Sequence, residues 1–478
     1  MNQQYMKHVV FYKPLFILIG ILTISFFADP VNAQSRKQDE DSLFIKKIYN
    51  QVLESQLSYK WLEYLSETIG HRIAGSPQSL AAIEFTTQIL DTIGADTVWN
   101  QPCTVNYWYR GEKEEVSIMN HPLIGNKSLH CLALGGSGAT PKYGITGNVV
   151  EVKSIDEVKK LGASLKDKIV FYNRPFDNTN LHTFHSYSGT VDQRVFGPNA
   201  AAKFGAKAVV VRSMTGRLDY VPHTGVTIFD STVTPIPALA ISTLDADLLS
   251  ACLKSGATQL KIKTSCEDRG PKQSYSVIGE IRGTEKPNEI ILVGGHIDTW
   301  DVGGGAHDDG AGCVQSMEVL HLFKIMNYKP KRTIRCVLFQ NEENGLAGAK
   351  TYAKISNENK EYHLAAIESD AGAYTPISFS YDADSSVLTK LTKNIPRWSE
   401  LLTPYNLHFE KGGSGADVGP LRSQKGLLFG LRPDSQRYFD IHHTEIDRID
   451  QVHPRELVLG SAAMASLVYL IDKYGLVE

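Results

Sequence analysis

Little in this chain of 478 residues favours one sign of charge: 49 basic residues stand against 52 acidic ones, a formal net charge of −3. No basic cluster interrupts that balance, so the electrostatic footprint of a nucleic-acid binder is missing. Cysteine is scarce, at six residues, and their spacing forms no CxxC or zinc-knuckle pattern. Beyond the N-terminus, no apolar stretch reads as long enough to span a membrane. What remains is the composition of a soluble globular protein, 42% hydrophobic and 21% charged, with a length that calls for two or three folding units.

The N-terminus is built differently. Lys7, His8 and Lys13 precede an apolar run from Leu15 to Phe27, closed by Val31-Asn32-Ala33. That order reads as a secretory leader over residues 1–33, cleaved after Ala33. An uncleaved anchor is the rival reading, and the run is shorter than the roughly 20 residues a spanning helix needs. The mature chain is expected to be exported, secreted or periplasmic, without a stable membrane anchor. An even cysteine count in an exported chain permits disulfides. Cys252 with Cys266 is the favoured pair, while Cys313 and Cys336 sit in apolar patterns that suit buried thiols.

The texture of the chain changes twice. Residues 34–124 carry helical apolar spacing from Ser42, a second helix from about Ser58 to Gly70, and a third opened by Ser76-Pro77, with Ser as N-cap and Pro in the first turn. Thr97 to Tyr109 then reads as a strand. Residues 125–268 hold short β-branched runs broken by Gly, Pro, Asn and Asp, as in a β-rich module with its own core. Its His182, His185 and His223 lack carboxylates at ligand spacing and are expected in solvent. From 269 to 478 strands and helices alternate, the mark of an α/β sheet.

Candidate ligands cluster in that last part. His296, Glu342-Glu343 and Asp370 each follow a predicted strand, and Asp308 opens a helix after Gly303-Gly304-Gly305. Open α/β sheets place their sites at such carboxyl ends of strands. Taken singly, a strand-end His or Asp is usually a cap or a surface group. With His443, and with Glu342 set aside, the set offers two imidazoles and three carboxylates, enough for two zinc ions sharing one carboxylate. Asp308 suits the bridge. His296 and Asp370 are assigned to one ion, Glu343 and His443 to the other. Asp298 suits an orienting role behind His296, and Glu342 is left free as a base on water. The loop 412–417, with Ser414 and Gly415, offers backbone N–H groups to a substrate; a tight turn capped by Asp417 is the alternative.

Five segments carry a resemblance: Gly-His-Ile-Asp-Thr-Trp-Asp (295–301), Gly-Ala-His-Asp-Asp-Gly-Ala-Gly (305–312), Asn-Glu-Glu-Asn-Gly-Leu-Ala-Gly (341–348), Glu-Ser-Asp-Ala-Gly (368–372) and His-His-Thr-Glu-Ile-Asp (442–447). Together they resemble the co-catalytic zinc aminopeptidase and glutamate carboxypeptidase family, over nearly the whole mature chain. The resemblance implies an α/β fold, a mixed sheet flanked by helices, with the β-rich middle inserted as a protease-associated domain. It carries the bridge onto Asp308, the base onto Glu342 and ligands onto Glu343 and His443. His442 is left to donate to an oxyanion or to support its neighbour.

The function implied is an exported exopeptidase with two zinc ions, a carboxypeptidase-type dipeptidase acting on short peptides or dipeptides. Whether a free amino or a free carboxyl end is required is not written in the ligands, so an aminopeptidase acting on longer peptides stays open. A glutaminyl-cyclase-type acyltransferase and a non-catalytic scaffold are the competing classes. No nucleic-acid partner is expected, and self-association into a homodimer is left open.

Overall fold

The computed structural model describes residues 30–476. The apolar run of the expected leader, Leu15 to Phe27, lies outside the described residues. The first strand, β1 (Thr97–Tyr109), leads into eight that belong to a second sheet. These are β2 (Glu115–His121), β3 (Gly125–Leu129), β4 (Cys131–Ala133), β5 (Ile145–Val152), β6 (Ile169–Tyr172), β7 (Ala208–Arg212), β8 (Ala238–Ile241) and β9 (Gln259–Lys263). The chain then returns to the first sheet with β10 (Glu267–Ile281), β11 (Lys286–His296), β12 (Arg332–Phe339), β13 (Tyr362–Glu368), β14 (Pro376–Asp382), β15 (His408–Lys411) and β16 (Leu427–Pro433).

The first sheet is ordered β1-β10-β12-β11-β13-β16-β14-β15. Its centre, β12-β11-β13-β16, is parallel, while β1, β10 and β14 join antiparallel. Parallel strands are buried on both faces, and their alternation shows it. Ile291 and Val293 of β11, with Ile334, Cys336 and Leu338 of β12, face a core shared with the helices Ala311–Ile325 and Pro454–Tyr474. Leu292, Val337 and Phe339 face the opposite core, under the helix Ala347–Glu358. The result is a mixed sheet flanked by helices.

The second sheet, β3-β2-β9-β5-β6-β7-β8-β4, has two faces as well. Phe171, Val210 and Leu239 pack under the helix Thr243–Ser255, and Val170, Val209 and Val211 pack on the other side. Strand β2 pairs with β3 and β9 here, so this sheet begins ahead of the boundary expected at residue 125. Arg110 ties the two sheets at their junction. It is buried, pairs with Asp301 at 2.5 Å and Glu114 at 2.8 Å, and donates to the Ala133 carbonyl at 2.6 Å.

Three expectations need correction. Cys252 and Cys266 are free, as are the other four cysteines. Cys252 lies in the core of the second sheet and Cys266 in the cluster around Trp108 and Trp300, so different packing groups hold them. The helix Pro454–Tyr474 is long and apolar enough to cross a membrane by length and composition. Its apolar window is 83% buried, which is why it reads as apolar: it is a core helix of the first sheet. His223 is buried at 2% exposure and contacts the His442 carbonyl, 2.8 Å from its Nδ1. A docking partner distant in the chain keeps it out of solvent, whereas His182 and His185 are exposed.

Candidate active site

The parallel strands end on one side of the sheet, and the candidate residues hang there. β11 ends on His296, β12 runs out into Glu342-Glu343, β13 into Asp370, and the segment after β16 reaches His443. Asp308 sits in the turn Ala306–Gly310 that opens the helix Ala311–Ile325. The distances make one cluster. His296 Nε2 is 3.2 Å from Asp308 Oδ1 and 3.6 Å from Asp370 Oδ1. His443 Nε2 is 3.3 Å from Asp308 Oδ2 and 3.1 Å from Glu343 Oε2. Asp308 therefore lies between the two imidazoles, one oxygen toward each.

Both rings are aimed from behind. His296 Nδ1 lies 2.9 Å from the Asp298 carbonyl, and His443 Nδ1 lies 3.2 Å from the Thr224 carbonyl. A carbonyl only accepts, so each Nδ1 donates there and each Nε2 is turned to the carboxylates, where it would be the nitrogen a metal takes. His443 also holds a left-handed backbone, φ 62°. Such strain costs about 1–3 kcal/mol and persists where surrounding contacts enforce it. Here the Thr224 N–H donates to the His443 carbonyl at 3.0 Å, so the second sheet grips this residue by ring and backbone together.

Asp298 acts differently from the sequence expectation. Its backbone oxygen, not its carboxylate, meets His296; the carboxylate is 3.9 Å away. The two carboxylate oxygens instead accept the N–H groups of Glu342 at 3.0 Å and Glu343 at 3.4 Å. Asp298 thus holds Glu342 and Glu343 in place. Asp309 and Asp447 do similar work. Asp309 accepts from the His296 and Gly312 N–H groups, and Asp447 from those of His307 and Asp308.

Burial and like charge set the electrostatics. Burial pushes Glu342 well above the usual carboxylate range, and Asp370, Glu343 and Asp298 add to this against the pull of His296. Glu343 is raised by burial and by Asp308. Asp308 goes the other way: burial would raise it, but His296 and His443 hold it well below the ordinary value. So dense a set of buried carboxylates calls for more positive charge than two imidazoles give. Asp308 Oδ2 is buried and has no hydrogen-bond donor. His296, Asp308 and Glu343 place donor atoms within 4.8 Å of one another, as do His296, Asp309 and Asp370, and Asp308, His442 and His443. Nitrogen and oxygen donors so grouped fit zinc.

A cavity of about 260 Å³ opens over the cluster, with Glu342, Glu343, Asp308, Asp370, His442 and His443 on one side. The opposite side is aromatic: Phe184, Tyr187, Tyr438 and Phe439. Phe184 stacks on Tyr438 with ring centroids 5.6 Å apart, and Tyr187 on Phe439 at 4.7 Å. His442 stacks on His443 at 3.5 Å, and its Nε2 is 3.6 Å from Asp308. Ser414 and Gly415 do not line this cavity. Their loop folds onto Glu368, which accepts the Ala416 and Val418 N–H groups and leaves no room for a side chain at position 415. Neither Asp417 oxygen has a hydrogen-bond partner among the described residues, so the capping alternative fails too.

Sequence reasoning missed Arg194. It lines the cavity at 4% exposure, its Nη1 3.4 Å from His443 Nδ1 and its Nη2 donating to the Tyr187 hydroxyl at 2.7 Å. Its Nε has no partner, and among the described residues no carboxylate pairs with it. A short helix with no ligand spacing gives no signal for such a residue.

Donors of this kind suit a hydrolytic metal centre, and known proteins narrow the class. Residues 276–468 match Peptidase family M28. The chain is 33% identical over 417 residues to carboxypeptidase Q of Bos taurus, covering 87% of this chain and 85% of that protein. Carboxypeptidase Q of Homo sapiens gives the same identity and shares. Among solved structures, a peptidase M28 precursor from Shewanella amazonensis SB2B superposes with a TM-score of 0.85 at 33% identity, covering 91% of this chain and 97% of that one. BSAP, a zinc aminopeptidase from Bacillus subtilis, shares the fold at a TM-score of 0.62 and 20% identity, covering 86% and 94%. The chain belongs to peptidase family M28 and is a zinc metallopeptidase.

Proposed function

We propose that this is a two-zinc exopeptidase that removes one residue from short peptides with a free carboxyl end, dipeptides above all. The observation that carries the reading is Arg194. A buried guanidinium that faces a substrate cavity without a carboxylate partner needs an anion, because an unpaired buried charge is costly. Its fork of donors suits a carboxylate held through two parallel bonds. Arg194 sits beside the ligand His443, and one extended residue spans about 3.3–3.6 Å. A terminal carboxylate within its reach therefore belongs to the residue just after the scissile bond. The size of the cavity agrees, since 260 Å³ falls below the roughly 300–1,000 Å³ of sites for drug-sized ligands.

His296 and Asp370 would hold one zinc ion, Glu343 and His443 the other, with Asp308 between them. Zinc bound there supplies Lewis acidity toward the scissile carbonyl and toward water. Glu342, half-buried at the cavity wall, takes a proton from the attacking water and delivers it to the leaving amine. The C–O bond to the water oxygen forms first, the C–N bond then breaks as the amine takes the proton, and no other reactant is needed. His442 and Tyr438 stand beside the same space as donors to the developing oxyanion. Carboxypeptidase Q, similar over most of the chain, supports the carboxyl-end reading. The second sheet corresponds in this reading to a protease-associated insert, and the basic and apolar pattern before Ala33 to export, secreted or periplasmic.

The test is hydrolysis of one dipeptide in free, N-acetylated and C-amidated forms by the zinc-loaded protein, followed by mass spectrometry. Cleavage of the free and acetylated forms but not the amidated one supports the reading. So does cleavage of the free form alone, as by a strict dipeptidase. Cleavage of the amidated form with the acetylated one spared makes the enzyme an aminopeptidase.

A further inference from the structure

Arg72 lies in the segment Gly-His-Arg-Ile-Ala-Gly-Ser (70–76), between the second and third helices of the sequence reading and far in the chain from every candidate ligand. It is fully buried, at 0% exposure. Its Nε donates to the Ile297 carbonyl at 2.6 Å, Nη1 to that of Gly304 at 2.7 Å and Nη2 to that of Gly305 at 3.1 Å. Its backbone N–H donates to Thr299 Oγ at 3.0 Å. Ile297 follows His296 and the glycines precede Asp308, so one guanidinium spans the two segments that bring the shared carboxylate to its imidazole.

The charge is placed as tellingly as the donors. Arg72 lies within electrostatic reach of Asp447, Asp298 and Asp309 without pairing directly with any of them. Those three carboxylates are the ones that hold the N–H groups of Asp308, Glu342, Glu343 and His296. A layer of anions orients the ligands, and one buried cation stands behind that layer. Core arginines also occur for packing alone, but packing does not require three carbonyls from two ligand-bearing segments.

We propose that Arg72 is a positioning residue of the metal centre, fixing the spacing between the His296 strand end and the Asp308 turn and balancing the carboxylates that orient the ligands. The proposal rests on the reading that this cluster binds zinc. Zinc affinity then depends on the N-terminal part of the chain, which contributes no ligand. Lysine cannot replace arginine here, because a single ammonium does not present a planar fork to carbonyls on two segments.

The experiment is zinc titration of metal-free protein against a chromophoric chelator, with thermal unfolding of the metal-free form alongside. Arg72→Lys is expected to weaken zinc binding about 10–100-fold, the range for partners that orient ligands. Arg72→Met is expected to weaken it further, since it loses charge and fork together. Wild-type zinc affinity in both variants, with only a lower unfolding temperature, would make Arg72 a packing residue and end the proposal. If Arg72→Met does not fold, Arg72→Lys decides alone. His296→Ala is the control for the parent reading: unchanged zinc binding there overturns the ligand assignment itself, separately from any result at Arg72.

Discussion

The two sheets meet at one cavity and bring opposite things to it. From the first come every candidate ligand and the candidate base, all at the carboxyl ends of parallel strands or in the loops that follow. From the second come Arg194, Tyr187, Phe184 and the Thr224 carbonyl, with no carboxylate among the lining residues. The carboxylates of the cavity come from the first region and its cation from the second, while the aromatic wall is shared, Tyr438 and Phe439 from the one and Phe184 and Tyr187 from the other. In the proposed reading, chemistry rests on the first core and recognition of the substrate carboxylate on the second, with Thr224 and His443 as the contact that couples them. Changes in the first sheet should remove turnover for every substrate, and changes in the second should alter which substrate is taken.

Asp308→Ala is the strongest way to test the first half. Asp308 offers one oxygen to each imidazole, at 3.2 and 3.3 Å, so its loss should empty both zinc positions and leave no measurable hydrolysis. Metal content by mass spectrometry checks this. Retention of one ion per chain would mean that the bridge lies elsewhere. Next in size is Glu342→Gln. The substitution keeps the backbone N–H that donates to Asp298 and leaves the candidate ligands alone, so both ions should remain. Turnover should fall on the order of 10²–10⁴-fold, the usual worth of a general acid–base group. Full activity in this variant would remove Glu342 from the base role.

Arg194→Met tests the second half, and its effect should be smaller and selective. A charged hydrogen bond is worth about 1.5–3 kcal/mol, so kcat/KM for a free dipeptide should fall roughly 10–100-fold. The difference between free and C-amidated dipeptides should shrink with it, while zinc content stays constant. An equal loss for both forms, carried by kcat, would place Arg194 with the first sheet's machinery and break the division between the two regions.

How legible each region was follows the same division. Strands β11, β12 and β13 are apolar runs ended by charged residues, so the sheet and the placement of His296, Glu342, Glu343 and Asp370 could be read directly. Asp308 after three glycines and the His-Thr-x-x-Asp pattern around His443 completed the set. In the second region nothing local marks Arg194, because its meaning lies in His443, which is distant in the chain and adjacent in space. His223 misled for that reason: its partner is the backbone of His442. Strand β2 alternates well but precedes a long insertion, so only its pairing with β9 assigns it to the second sheet. The loop at Ser414 and Gly415 misled in the opposite sense, since its N–H groups are spent on Glu368 rather than facing a substrate.

Each region also buries a neutral histidine, which gives a finer comparison through pH. Burial holds His363 of the first sheet down to about 4, although its contact with Gln424 works the other way. His223 of the second is held down to about 3, again by burial, against the His442 carbonyl. An unfolded histidine titrates near 6.5. Between that value and the folded one, the unfolded chain binds a proton that the folded chain refuses, so stability falls as pH falls. At pH 5 each histidine should remove about 2 kcal/mol relative to alkaline pH. The two part company only below about 4, where His363 takes up its proton in the folded state and its contribution levels off, while that of His223 keeps growing toward about 3. Urea unfolding of the metal-free protein at pH 7 and pH 5 reads this out. His223→Asn should recover about 2 kcal/mol of the acid loss, and His363→Gln a similar amount. Recovery by His363→Gln alone would mean that the second sheet releases His223 to solvent as the pH drops, and that its grip on His442 and His443 is the first contact between the two regions to fail in acid.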